Sequence, residues 1–170
     1  MANNLNVISD MKQTVLRALL SNADVVKILR NRCNVITPDM GLRYTQVFPW
    51  MYVPETVEET KTYIGMKVKT RHPHNGAARV FELTIYVMCH KELMRMNSEV
   101  CGQLGLDAED SGSRVDVLMD KIDYILNGSE EMGFGKMQLI DSDEYKPSEK
   151  FHGRYMIYQV DGWNRWGEKL

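Results

Sequence analysis

The chain opens with apolar residues spaced as on the buried face of an α-helix. This spacing of three and four positions predicts a first helix over about 10–20, capped at its start by Ser9 or Asp10. A second, shorter helix is predicted to follow, with Asn22 or Ser21 as its cap. The apolar positions that define the two helices are Val7, Met11, Val15, Leu16, Leu19 and Leu20, then Val25, Val26, Ile28 and Leu29.

Alternation of apolar and polar positions predicts a long β-hairpin in the middle of the chain. Ile64, Met66 and Val68 alternate with small or charged residues, as expected for a strand with one buried face. Asn75-Gly76 is a strong signal for the hairpin turn. The return strand is predicted over 80–90, with its apolar face made of Phe81, Leu83, Ile85, Val87 and Cys89.

Three further segments carry strand or helix patterns. Segment 47–54 is aromatic and contains two prolines, which favour an edge strand or a strand that begins and ends at prolines. A helix is predicted to start at Ser113 and to stop at Asn127-Gly128. Residues 137–140 predict a short strand, 141–150 a polar loop, and 151–160 a last strand that is apolar on both faces.

These elements predict one α+β domain over residues 1–170. The expected architecture is a mainly antiparallel sheet with the N-terminal helices and one central helix packed on one face. Glycines and an acidic run predict a long loop near 91–112, and residues 161–170 form a polar C-terminal tail that carries two tryptophans. Exposed tryptophans at a chain end are typical of a segment that docks on another surface.

Composition excludes several classes of protein. The formal net charge of −2 disfavours general coating of nucleic acid, which needs a basic surface. Cys33, Cys89 and Cys101 have no CxxC spacing, so neither a disulfide framework nor a zinc site is indicated, and folding in a reducing compartment is favoured. Neither a signal peptide nor a membrane-spanning run is recognisable, and no membrane partner is expected.

The candidate chemical sites all have simpler structural explanations. His72 and His74 flank a turn but lack a third metal ligand. Cys89 and His90 are adjacent on a strand, so they point to opposite faces and cannot form a nucleophile–base pair. The acidic run 107–110 lacks EF-hand spacing, and segment 133–136 lacks the full phosphate-loop motif. We therefore expect no enzyme activity and no cofactor.

Interaction surfaces are more strongly indicated than catalysis. The chain has three Trp, eight Tyr and twelve Met, and these residue types are enriched at protein interfaces. Lys67, Lys69 and Arg71 cluster on the outer face of the first hairpin strand. Two interpretations stay open for this cluster: protection of a sheet edge, or a patch that faces a polyanion such as DNA.

Several segments in order resemble the tail-completion proteins of tailed bacteriophages, also called tail-terminator or head–tail joining proteins. The resemblance covers most of the chain from Val47 onward, and the N-terminal helix matches in kind. It is carried by the proline-bracketed Val47–Pro54, Thr60–Ile64, Leu83–His90, Arg114–Leu118, Ile125–Ser129, Phe134–Leu139, Phe151–Tyr155 and Asp161–Asn164.

The resemblance implies a structural virion protein that forms a ring, commonly a hexamer. Such a ring ends the tail tube, joins it to the head-completion or connector protein, and lets double-stranded DNA pass through its lumen without sequence-specific binding. It would assemble in the host cytoplasm and reside in the virion tail or neck. The family has no catalytic residues to carry over.

A ring needs two different surface patches that meet between neighbouring subunits. The expected subunit contacts are Phe48, Trp50, Tyr52, Trp163 and Trp166. The expected lumen-facing residues are Lys67, Lys69 and Arg71. Alternative functions are another neck or tail component (a stopper, adaptor or tail-tube protein), a monomeric binding module, or a small hydrolase.

Overall fold

A computed structural model describes residues 4–52, 59–71 and 80–160. Within them a five-stranded sheet has the strand order β1-β2-β3-β7-β6. Neighbouring strands are antiparallel except for β1, which runs parallel to β2. The sheet strands are β1 Val47–Phe48, β2 Thr62–Arg71, β3 Val80–His90, β6 Met137–Tyr145 and β7 Phe151–Val160.

In the described part of the chain, four α-helices accompany the sheet: α1 Asn4–Ser21, α2 Ala23–Arg30, α3 Ser98–Leu104 and α4 Arg114–Leu126. The core lies between one face of the sheet and helices α1, α2 and α4. Val15, Leu19, Leu118 and Ile122 are fully buried there against the even-numbered side chains of β2 and the odd-numbered side chains of β3. The predicted α+β class, with its helices on one face, is confirmed.

Local sequence signals account for most of these boundaries. The side chain of Asn22 accepts hydrogen bonds from the backbone N–H groups of Asp24 and Val25, as predicted for the cap of α2. Ser113 likewise accepts from the N–H of Asp116 at the start of α4. Gly128 follows α4 with φ of 76°, a left-handed conformation that favours glycine.

The structure corrects two predicted boundaries. Helix α1 begins at Asn4 rather than near Asp10, since Val7 already lies on its buried stripe. Strand β6 continues through 141–145, where a loop was predicted, because an irregularity between Leu139 and Asp141 breaks the alternation. The last part of β6 is polar because it lies at the sheet edge, where side chains stay exposed.

Segment 91–112, predicted as a long loop, contains regular structure. Besides α3 it forms a small antiparallel sheet from β4 Arg95–Met96 and β5 Gly112–Ser113. Helix α3 ends at Leu104 and is followed by Gly105, whose φ of 64° is a left-handed conformation that glycine adopts without steric cost. The glycines of this segment made the helix hard to predict from the sequence, because Gly102 lies inside it and Gly105 follows its last residue.

Arg114 is buried and forms hydrogen bonds with three residues elsewhere in the helical layer. Its guanidinium donates to the carbonyl oxygens of Leu93 at 2.7 Å and Ile28 at 3.0 Å, and to Asn31 Oδ1 at 2.9 Å. Only 2% of the residue is exposed, and burial lowers the pKa of its guanidinium. Among the described helices, none has the length and apolar character needed to cross a membrane.

Candidate interaction surface

The face of the sheet that carries no helix is covered at one end by an aromatic cluster. Phe48, Tyr63, Met88 and Phe151 are buried together there. The ring of Tyr63 lies 6.4 Å from that of Phe48 and 5.9 Å from that of Phe151. Burial raises the pKa of Tyr63 to about 12, in keeping with its place among apolar side chains. The cluster therefore acts as a second, smaller core.

Segment 47–52 supplies the outer layer of this cluster. Val47 pairs with Ile64 and Phe48 with Gly65, which aligns the segment with β2. Beyond the strand, the N–H of Met66 donates to the carbonyl of Trp50 at 3.2 Å. Gly65 permits this close approach, because a Cβ at that position would lie 2.9 Å from the Trp50 carbonyl oxygen.

Exposed apolar side chains concentrate in the stretch 36–51. Of the seven large hydrophobic residues that the described part of the chain exposes, five fall in this stretch: Ile36, Met40, Tyr44, Trp50 and Met51. The rings of Tyr44 and Trp50 are stacked 5.6 Å apart, and each residue is 48% exposed. We call these two stacked rings, with the adjoining Met51, the aromatic lip.

The lip is held by its own backbone and by one arginine. Tyr44 has φ of 63°, unusual for a residue with a side chain, and its N–H donates to the Val47 carbonyl at 2.9 Å. The Arg43 guanidinium lies 4.6 Å from the centre of the Tyr44 ring, within the range of a cation–π contact. Exposed aromatic side chains fixed in this way are typical of protein-binding surfaces.

The five subunit contacts predicted from the sequence have different locations. Phe48 is buried in the chain's own aromatic cluster and Tyr52 is half-buried against it, with their rings 4.1 Å apart. Trp50 is the exposed member of the three. Trp163 and Trp166 lie outside the described residues. Sequence reasoning missed Tyr44 and Met51, although both are large apolar residues close to the prolines that signalled this segment.

The three predicted lumen-facing residues lie together on the exposed half of β2. Lys67, Lys69 and Arg71 project from the helix-free face. Arg71 is paired within the chain, since its Nε lies 2.7 Å from Oε1 of the buried Glu82 on β3. No ion pair between Lys67 or Lys69 and another described residue is found. These two lysines are thus available to an acidic partner.

Among the described histidines and cysteines, Cys89 of β3 lies directly opposite His152 of β7 in the strand register. His90 is buried with its ring edge against Phe151, while Cys89 faces the opposite, helix-bearing side, as predicted. Burial raises the pKa of the Cys89 thiol, which keeps it uncharged. Over residues 4–52, 59–71 and 80–160, no group of three side chains is arranged to hold a metal ion. His72 and His74 lie outside this part.

A cleft of about 360 Å³ opens between the start of α4 and the β6–β7 hairpin. Two of its charged groups are paired: Arg154 Nη1 lies 2.8 Å from Asp116 Oδ1, and the Ser113 hydroxyl donates to Oδ2 of the same carboxylate at 2.5 Å. Both oxygens of Asp116 therefore have a hydrogen-bond partner within the chain. Burial also raises the pKa of Tyr145, which lines the cleft.

A family model named YomW matches residues 13–160 of the chain. The match includes α2, α4 and every strand of both sheets, and it starts within α1. The family bears the name of a phage-derived gene product, which associates the chain with phages. No curated protein matches the chain.

Proposed function

The chain belongs to the YomW family, and from this membership and its aromatic lip we propose that it is a structural subunit of a tailed-phage virion. In this proposal it forms a ring, commonly a hexamer, that ends the tail tube and joins it to the head connector. The observation that carries the proposal is the exposed apolar stretch 36–51. A surface of this kind suits binding to protein rather than catalysis.

The phage association narrows the class of partner. A virion subunit meets copies of itself and neighbouring structural proteins, here the tail tube protein and the head-completion or connector protein. The lip is positioned by a strand pair and by stacked rings, so it is presented without a large ordering cost on binding. Trp and Tyr at such positions are the residue types that most often dominate binding energy.

In this proposal, DNA moves through the lumen of the ring without being stably bound. The net charge of −2 gives no broad basic surface that would retain it. Weak, sequence-independent contact suits a channel through which DNA must move. Lys67, Lys69 and Arg71 are the residues predicted from the sequence to face it, and this role stays a prediction.

The test uses the full chain mixed with purified tail tubes and viewed by negative-stain microscopy. Capped tubes of fixed length, or free rings, are the expected result. Tubes that continue to grow in the presence of saturating protein would contradict the terminator role. Protein incorporated along the tube would instead identify a tail-tube component, and a monomer that binds no tube would identify an unrelated binding module.

Trp50→Ala probes the lip in the same experiment. Loss of a central interface tryptophan typically costs more than about 2 kcal/mol of binding, so capping should require roughly thirty times more protein. Tyr124→Ala is the matched control, because Tyr124 is 89% exposed on α4 and lies outside the stretch 36–51. Equal capping by both variants would show that the lip is not part of the interface.

A further inference from the structure

Half of the helix-free face is left partly open. Tyr86 and Tyr155 lie opposite each other on β3 and β7, and Thr84 lies opposite Ile157 in the next row of the same face. All four residues are half-buried, whereas the other end of the face is closed by the aromatic cluster. The rings of Tyr86 and Tyr155 have their centres 6.3 Å apart. We call these four residues the open face.

One border of the open face is acidic. On β6, Asp141 lies opposite Ile157 and Asp143 lies opposite Tyr155, so both carboxylates project from the same side of the sheet as the open face. Both aspartates are exposed, and no ion pair between either of them and another described residue is found. Among the described strands, β6 pairs with β7 alone. The acidic border therefore lies along the outer edge of the sheet and can be reached from the side.

The aromatic lip lies at the opposite edge of the sheet and carries the opposite charge. The Arg43 guanidinium lies 4.6 Å from the centre of the exposed Tyr44 ring, and no carboxylate of the described residues pairs with it. Lys67 and Lys69 lie on the strand that pairs with β1, and they too lack an ion-pair partner among the described residues. Each copy thus presents an apolar surface with cations at one edge and an apolar surface with anions at the other.

These two surfaces complement each other better than the lip complements itself. A contact between two lips would bring two Arg43 guanidinium groups together, whereas a lip on an open face brings Arg43 near Asp141 and Asp143. The two carboxylates lie on the strand next to Ile157, and the two lysines lie two strands away from it. This asymmetry gives a docked lip a preferred direction, with its arginine toward β6.

We propose that the aromatic lip of one copy docks on the open face of the next copy, with Arg43 directed toward Asp141 and Asp143. The partner is a second copy of this chain, in a head-to-tail contact that uses two different surfaces of each subunit and can close into a ring. This inference rests on the proposed ring and names the surfaces that build it. The contact is made by side chains, so it leaves the pairing of β1 with β2 intact.

Site-directed cross-linking tests this contact on the full chain. Met51→Cys marks the lip and Asp143→Cys marks the border of the open face, each in a Cys33→Ser background because Cys33 is exposed. An equimolar mixture of the two variants, one of them carrying an affinity tag, is treated with a short bismaleimide. Cross-links between the two variants should form at least about tenfold faster than cross-links within either variant alone, because docking holds the two thiols close together.

Asp120→Cys replaces Asp143→Cys in the control mixture. Asp120 is also an exposed aspartate, but it lies on α4, on the other side of the sheet, so this mixture should give only background product. A test mixture that gives no more product than the control would overturn the proposal. Equal cross-linking of Met51→Cys to itself would also overturn it, in favour of a contact between two lips. A wild-type chain that stays monomeric both free and on tail tubes would overturn it as well.

A double-mutant cycle measures whether the two surfaces touch each other. In sedimentation velocity, Trp50→Ala should raise the apparent dissociation constant about thirtyfold and Ile157→Ala about tenfold. If the two side chains meet across one contact, the double variant should lose clearly less than the roughly three-hundredfold product. Losses that multiply fully would assign the lip and the open face to different neighbours and overturn the pairing. Circular dichroism verifies that each variant is folded, and the cross-linking result does not depend on these truncations.

The outcomes separate this inference from the proposed function. Cross-links between the two variants without capped tubes would leave the pairing standing and refute the terminator role. Capped tubes without these cross-links would refute the pairing and leave the terminator role standing. The chain's own residues 161–170 are the other candidate occupant of the open face. In monomeric Trp50→Phe protein, a change of tryptophan emission caused by Ile157→Ala would report Trp163 or Trp166 on the open face and overturn the choice of a second copy.

Discussion

Gly65→Ala should detach segment 50–52 from the sheet. A Cβ at this position would lie 2.9 Å from the Trp50 carbonyl oxygen and 3.1 Å from the Tyr52 nitrogen, closer than ordinary carbon–oxygen and carbon–nitrogen contacts. Both neighbours are backbone atoms, so no rotation of a side chain relieves the clash. Strand β2 cannot retreat easily, since it is paired with β3 from Thr62 to Arg71. The segment carrying Trp50 must therefore move.

The expected cost follows from the contacts that this movement disrupts. Overpacking of a methyl group costs about 1–3 kcal/mol. Loss of the hydrogen bond from the Met66 N–H to the Trp50 carbonyl adds about 0.5–1.5 kcal/mol. Replacing glycine restricts the unfolded chain and returns about 0.4–1 kcal/mol. The middle of these ranges gives a net loss of about 2 kcal/mol in the free energy of unfolding.

Urea denaturation followed by tryptophan fluorescence measures this loss. Trp163→Phe and Trp166→Phe in the background leave Trp50 as the single tryptophan, so the signal also reports whether its ring leaves the stack with Tyr44. With a slope of about 2 kcal/mol per molar urea, the midpoint should fall by about 0.5–1.5 M.

Gly102→Ala is the matched control, because a Cβ there meets nothing within 4 Å and the residue lies inside α3. Alanine favours a helix, so this variant should be unchanged or slightly more stable. A Gly65→Ala protein as stable as the Gly102→Ala protein would refute the close packing of segment 50–52 on the sheet. An unchanged Trp50 spectrum in a destabilised variant would refute the predicted movement.

Two further predictions concern the helical layer. Arg114→Met removes the donor of three hydrogen bonds, of which the one to the Ile28 carbonyl is buried, and should cost about 2–4 kcal/mol, lowering Tm by about 4–16 °C. The exposed control Arg95→Met should leave Tm within about 2 °C. The Arg30 guanidinium hydrogen-bonds both oxygens of Asp39 and holds the pKa of that carboxyl below its usual value. Asp39→Asn should therefore lose about 0.5–1 kcal/mol at neutral pH. Because the pKa of Asp39 is lower in the folded than in the unfolded chain, this deficit should shrink as pH falls below about 4, where the unfolded wild-type chain takes up the proton first, and a deficit unchanged at pH 2 would contradict this assignment.

The long elements could be predicted because each has a single periodicity. The second half of β2 alternates between more and less exposed positions, and α4 has both a serine cap and a glycine stop. Such segments can be predicted from local sequence patterns alone. Strand β7, predicted over 151–160, has the same bounds in the structure.

The rest depends on contacts that local pattern does not encode. Strand β6 loses its alternation at the irregularity after Leu139, and its polar end is set by its place at the sheet edge. The parallel pairing of β1 with β2 depends on the close approach of segment 50–52 to Gly65. The sequence indicates this approach only through the absence of a side chain at that position. Arginine is usually a surface residue, and the burial of Arg114 depends on its hydrogen bonds to carbonyl groups that are distant in sequence.

Strand β7 has apolar residues on both of its faces. The sequence left open whether its second face is buried within the chain or by a partner. At one end Phe151 is fully buried by the aromatic cluster, whereas Tyr155 and Ile157 are only half-buried. The helix-free face is therefore closed near segment 47–52 and partly open around Tyr155 and Ile157. In the proposed assembly, this open part and the aromatic lip are the apolar surfaces that a neighbouring subunit would cover, so Trp50→Ala and Ile157→Ala should both weaken assembly.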